Sequence, residues 1–117
     1  MYLTAYQVFV FMYCILDDIW ATNNDEHLSI YLSEANPFAC DEGSADPIVF
    51  NDFVKLFGAN QILDDFGYEI IVKYLKQLDS YYGDILVFFF KISKSEYIEK
   101  CQKLITLSKE ELKKQHI

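Results

Sequence analysis

Apolar residues recur three and four positions apart from the start of the chain. Ala5, Val8, Phe9, Met12, Ile15, Leu16, Ile19 and Trp20 predict a helix over about Thr4 to Ala21. Thr4 followed three residues later by Gln7 is a capping-box start, in which the hydroxyl and the amide each satisfy a free backbone N–H. Between Val8 and Leu16 the helix is apolar nearly all round, so it is expected at the centre of the fold with both faces covered. Cys14, inside that stretch, reads as a small core residue.

The turn Asn23-Asn24-Asp25-Glu26 opens a short second helix, about Asp25 to Glu34, that buries Leu28, Tyr31 or Leu32, and Ala35. Periodicity then stops from Asn36 to Ala45, a stretch of Pro, Gly and short polar residues long enough for a functional or well-anchored loop. Asp46-Pro47 restarts a helix, because Asp accepts from free N–H groups and Pro lacks the donor that would go unpaired. Ile48, Val49, Phe50, Phe53, Val54 and Phe57 follow, and Gly58 closes it as a left-handed residue. A fourth helix is expected from about Leu63 to Tyr82, with Phe66, Ile70, Ile71, Tyr74, Leu75, Leu78 and Tyr82 as its buried stripe and Gly83 as its stop.

The run Ile85 to Phe90 is continuously apolar, which fits a buried strand or a buried helical turn equally well. Ser93 with Glu96 and Ser108 with Glu111 are two further capping boxes, so the tail is one broken helix or two short ones. The expected fold is therefore mostly all-α, a single compact helical domain over residues 1–117 with five or six helices, residues 85–92 remaining open as a strand.

Composition narrows the function. A chain of 117 residues, 52% hydrophobic, can bury roughly two-thirds of its unfolded surface and needs no disulfide or metal to hold a core. Its net charge of -8 is unevenly placed. Met1 to Val54 carries nine acids and no Lys or Arg; Lys55 to Asp84 has five acids against three lysines; Ile85 to Ile117 has four against seven. An acidic body with a mildly basic tail and no arginine argues against phosphate binding and for a basic partner, so no nucleic-acid partner is expected.

Cys14, Cys40 and Cys101 are widely spaced and odd in number, which suits reduced thiols in a cytoplasmic protein rather than a disulfide framework or a zinc site. The apolar run Val8 to Leu16 has no cation before it and ends in Asp17-Asp18 without a cleavage site, so it is not expected to be a signal peptide. No run approaches the roughly 20 residues that span a bilayer, and no membrane partner is expected.

Catalytic templates fail on inventory. Of the two histidines, His116 lies at a position where chains usually fray, so a Cys–His pair would have to join Cys40 to His27. Asp41 to Asp52 has the length of a calcium loop but lacks the acids at its third and fifth positions and the glycine at its sixth. No glycine-rich phosphate loop occurs, and neither catalysis nor a cofactor nor a metal is expected. Adjacent acids on a helix point about 100° apart and make no dyad. Several of the acids suit helix N-termini, but this does not account for nine without a balancing cation. The candidate partner-binding residues are Asp17, Asp18, Asp25, Glu26, Asp41, Glu42 and Asp52, with Trp20 and Tyr31 as aromatic anchors or, equally, core residues.

Three segments together carry a family resemblance. Ala5-Tyr6-Gln7 through Asp17-Asp18-Ile19-Trp20, then Asn24 to Ser33, then Asp41-Glu42-Gly43-Ser44-Ala45-Asp46-Pro47 leading into Phe50-Asn51-Asp52-Phe53, resemble small immunity proteins of bacterial contact-dependent growth inhibition and related polymorphic toxin systems. The resemblance covers Ala5 to Phe53, about half the chain, and its most specific piece is Gly-Ser-Ala-Asp-Pro before an aromatic helix. It implies a cytoplasmic, non-catalytic protein that binds and neutralises one cognate toxin domain. A basic nuclease would suit an acidic inhibitor. The alternative is an acidic helical adaptor, or an inhibitor of another basic protein that imitates nucleic-acid charge.

Overall fold

The long first helix is the axis around which the chain folds. The computed structural model describes residues 1–116, beginning with a three-residue strand β1 (Tyr2–Thr4) that runs into α1 (Ala5–Asn23). The capping box forms: the Gln7 N–H donates to Thr4 Oγ1 at 3.2 Å and the Thr4 N–H to Gln7 Oε1 at 2.9 Å. Every residue from Val8 to Leu16 is buried, as an all-round apolar helix requires. Asn24 takes the left-handed conformation (φ 55°) that turns the chain, and Asp25 then caps α2 (Glu26–Ala35) through a 2.9 Å bond from the Leu28 N–H.

The segment 36–45 is anchored along its length. Tyr6 Oη donates to the Pro37 carbonyl at 2.9 Å, Phe38 packs edge-on against Tyr13, and the Ser44 hydroxyl accepts the Phe50 N–H at 3.0 Å. α3 (Pro47–Phe57) starts on Asp46, whose Oδ1 accepts the Ile48 N–H, and ends at Gly58 with φ 67°. Its buried face carries Phe50 and Phe53, whose rings lie 5.1 and 5.4 Å from that of Phe9 on α1.

Strand β2 (Gln61–Leu63) pairs antiparallel with β1, Leu3 opposite Ile62, and so seals the fully buried Leu3 under the first turn of α1. After it come α4 (Asp64–Gln77), α5 (Asp79–Tyr82), α6 (Leu86–Phe89), α7 (Lys94–Leu104) and α8 (Lys109–Gln115). The described residues thus hold eight helices and one two-stranded ladder, 69% helical. The radius of gyration, 12.9 Å, matches the roughly 13 Å of a single globule this size.

Five or six expected helices become eight because the fourth breaks at Leu78 and the apolar run after Gly83 makes a helix of its own. Residues 85–92 contain no strand: the Phe90 N–H donates to the Leu86 carbonyl at 3.0 Å, and Asp84 caps the Val87 N–H. Ile85 and Phe89, one helical turn apart, are buried while Val87 and Phe90 face solvent. The tail resolves into two helices, each with its expected capping box.

Some stripe assignments change. Phe66 is 60% exposed, and the face it was expected to fill is taken by Gly67, which lets α4 approach Val8 of α1 and Tyr97 of α7. On α3, Ile48 and Val54 lie outside the core, 65% and 40% exposed.

Candidate functional site

Two features concentrate polar chemistry. The first is a cleft of about 720 Å³ between α3 and the α4–α5 arm. Its apolar wall is Val49, Leu56 and Leu78, and its rim carries Asp46, Asp52, Lys55, Ile48 and Tyr81. Position on the helix accounts for these side chains. Ile48, Asp52 and Lys55 are spaced four and three residues apart on α3 and share one face. Tyr81, on α5, reaches the same cleft as Tyr74 and Leu78 and is 79% exposed.

Tyrosines stiffen the back of the cleft. Tyr31 Oη donates to Tyr74 Oη at 3.0 Å, the Tyr82 ring stands edge-on to Tyr31, and the Tyr82 hydroxyl donates to the Glu34 carboxylate. Burial pushes the Tyr31 and Tyr74 phenols above their ordinary range, and burial followed by the Glu34 bond does the same for Tyr82. All three stay protonated at neutral pH, so they serve as hydrogen-bonding and packing groups rather than bases.

The second feature lies where the C-terminal segment meets the end of α1. His116 Nδ1 is 2.8 Å from Asp17 Oδ2 and 3.7 Å from Asp18 Oδ1, with the imidazole only 3% exposed. The expected fraying does not occur: α8 is clamped by Leu112 in the core and by Lys109 Nζ, which donates to the Cys40 carbonyl at 2.7 Å and to that of Asp41. Burial raises the Asp18 carboxyl, while His116 and Lys100 pull it down. The three side chains lie within a metal ion's reach of one another, but their hydrogen bond and the neighbouring Lys100 already account for the cluster.

The seven candidate partner-binding acids are thus dispersed. Asp17 and Asp18 join in the clasp with His116; Asp25 spends a carboxylate oxygen on the Leu28 N–H; Glu26 sits in the exposed first turn of α2; Asp41 and Glu42 are exposed on the anchored loop; Asp52 lines the cleft. Tyr31 is core, and Trp20 is half-buried with its Nε1 donating to the Asp25 carbonyl at 3.1 Å, so neither is a free anchor. Nothing joins Cys40 to His27: the thiol turns toward the Ser44 carbonyl, and the imidazole packs against Gly83. Asp46, Ile48 and Tyr81 were missed as surface residues, because a capping acid and apolar residues at helical spacing carry no sign of which cleft they will face.

Among the described residues no lysine reaches a carboxylate of the acidic half within 4.0 Å, and His116 is the one side chain from the tail that does. Nor is any helix there long and apolar enough to cross a membrane. Comparison of the chain with protein-family models, with curated proteins and with solved structures finds no match.

Proposed function

We propose that this protein is a cytoplasmic immunity protein that binds and neutralises a basic toxin domain through the acidic surface of its N-terminal half, without catalysis of its own. One observation carries the reading. The basic tail meets the acidic half at Asp17 and Asp18 through His116 and at the backbone carbonyls of Cys40 and Asp41 through Lys109, so among the described residues the other carboxylates of residues 1–54 stay without ion pairs. Such uncompensated charge costs stability through self-repulsion, and it accelerates capture of an oppositely charged partner. Glu26, Asp41, Glu42 and Asp52 carry this role, while Asp17, Asp18 and Asp25 are engaged within the fold. The family resemblance over Ala5 to Phe53 supplies the kind of partner, and a nuclease is the toxin chemistry that most needs a basic surface.

The test is to purify the chain together with the domain encoded beside it and to measure association between about 50 and 500 mM salt. A stable complex is expected whose association slows much more with salt than its dissociation quickens. Absence of a complex at micromolar concentration refutes the proposal.

A further inference from the structure

The cleft between α3 and α5 combines an apolar wall, two carboxylates and a solvent-facing aromatic ring, and no cation of the fold pairs with those carboxylates among the described residues. We propose that it is the docking groove for a segment of the partner protein that presents an arginine between apolar residues. This rests on the proposed immunity function and specifies which part of the acidic surface makes the contact.

The chemistry of the rim selects the occupant. Asp46 and Asp52 offer two carboxylates, of which Asp46 spends one oxygen on the Ile48 N–H. Lys55 shares the rim, yet among the described residues it pairs with neither acid, so the lining keeps a negative excess. Tyr81 is held in place by Tyr82, whose ring lies 4.7 Å away at 70° and is itself fixed by Glu34 and Tyr31. A rigid, exposed tyrosine beside carboxylates is the partner of a planar guanidinium, which stacks on the ring while its fork of N–H donors meets the acid. The adjoining wall of Val49, Leu56 and Leu78, with Ile48 exposed at the mouth, then takes the apolar neighbours of that arginine. A nucleic acid or anionic ligand is disfavoured by the same carboxylates.

Two arms test this on the full chain. In the first, the domain encoded beside the protein is titrated with the wild type and with Asp52→Lys, Tyr81→Ala, Lys55→Glu and, as a control outside the acidic half, Glu99→Lys on the exposed side of α7. Asp52→Lys and Tyr81→Ala are expected to raise Kd at least about tenfold and Lys55→Glu to lower it, with Glu99→Lys within about threefold. A complex that tolerates both cleft substitutions overturns the groove and leaves the immunity proposal standing. In the second arm, amide resonances are followed while blocked Leu-Arg-Leu and Leu-Gln-Leu peptides are added. Shifts are expected around Val49, Asp52 and Tyr81 with the arginine peptide alone. If the neighbouring domain forms no complex the immunity proposal falls, and the peptide arm decides the groove: equal response to both peptides, or none at those amides, overturns it.

Discussion

The close approach of α4 to α7 at Gly67 yields a double-mutant cycle whose sign is set before the experiment. A Cβ placed on Gly67 would sit 3.2 Å from Tyr97 Oη, and 3.5 and 3.7 Å from the Val8 methyls. That hydroxyl is buried with the Cys101 thiol as its one neighbouring partner, a weak acceptor that leaves it without a hydrogen bond of normal geometry. An orphaned buried hydroxyl costs about 1–3 kcal/mol, whereas the void left by one oxygen costs about 1 kcal/mol or less. Tyr97→Phe, which keeps the ring against Tyr68 and Phe89, is therefore expected to stabilise by about 1 kcal/mol. Gly67→Ala gains about 1 kcal/mol of helix propensity but overpacks the hydroxyl at a cost of about 1–3 kcal/mol, so alone it destabilises. In the Tyr97→Phe background the obstruction is gone and the propensity gain remains, giving a coupling energy of about 1–3 kcal/mol. Urea unfolding followed by circular dichroism reads this directly, since about 1.5 kcal/mol moves the midpoint by about 1 M in a domain this size. If Tyr97→Phe destabilises, or Gly67→Ala has the same effect in both backgrounds, the account of this contact is wrong.

Thiol chemistry should divide the cysteines: burial pushes Cys14 up to about 12 and Cys101 to about 11, so in native protein only the exposed Cys40 is expected to react with an alkylating reagent, as peptide mass mapping would show. The same shifts predict alkaline lability. A group whose folded pKa is raised contributes stability that is whole below its unfolded value and is lost as pH climbs toward the folded one. Stability should therefore hold up to about pH 9 and fall by roughly 1–2 kcal/mol by about pH 10.5 from Cys14 alone, seen as a lower urea midpoint; a flat profile would contradict it. Finally, His116→Ala removes the clasp to Asp17 and is expected to speed amide exchange in Lys109–Gln115 about tenfold, with α3 unchanged; equal acceleration throughout would mean that the clasp holds the whole fold rather than its last helix.

Local rules were legible in the amino acids alone. The central helix, the Asp46-Pro47 start, the Gly58 stop and all three capping boxes depend on neighbours within four residues, so spacing and side-chain type suffice to specify them. The strands β1 and β2 were not legible, because three residues cannot display a period and their pairing joins segments about 60 positions apart. Nor could Ile85 to Phe90 be assigned, because an unbroken apolar run leaves the choice to the surfaces it meets.

The charge pattern divides in the same way. Sequence by itself determined that the first 54 residues are acidic without a cation and the last 33 are net basic. Only the tertiary structure decided which acids meet which bases, bringing His116 across 99 positions to Asp17 while leaving Asp52 on an open cleft beside Tyr81. The physical reason is that Coulomb attraction and solvent exposure depend on distance in space, and a position number carries neither.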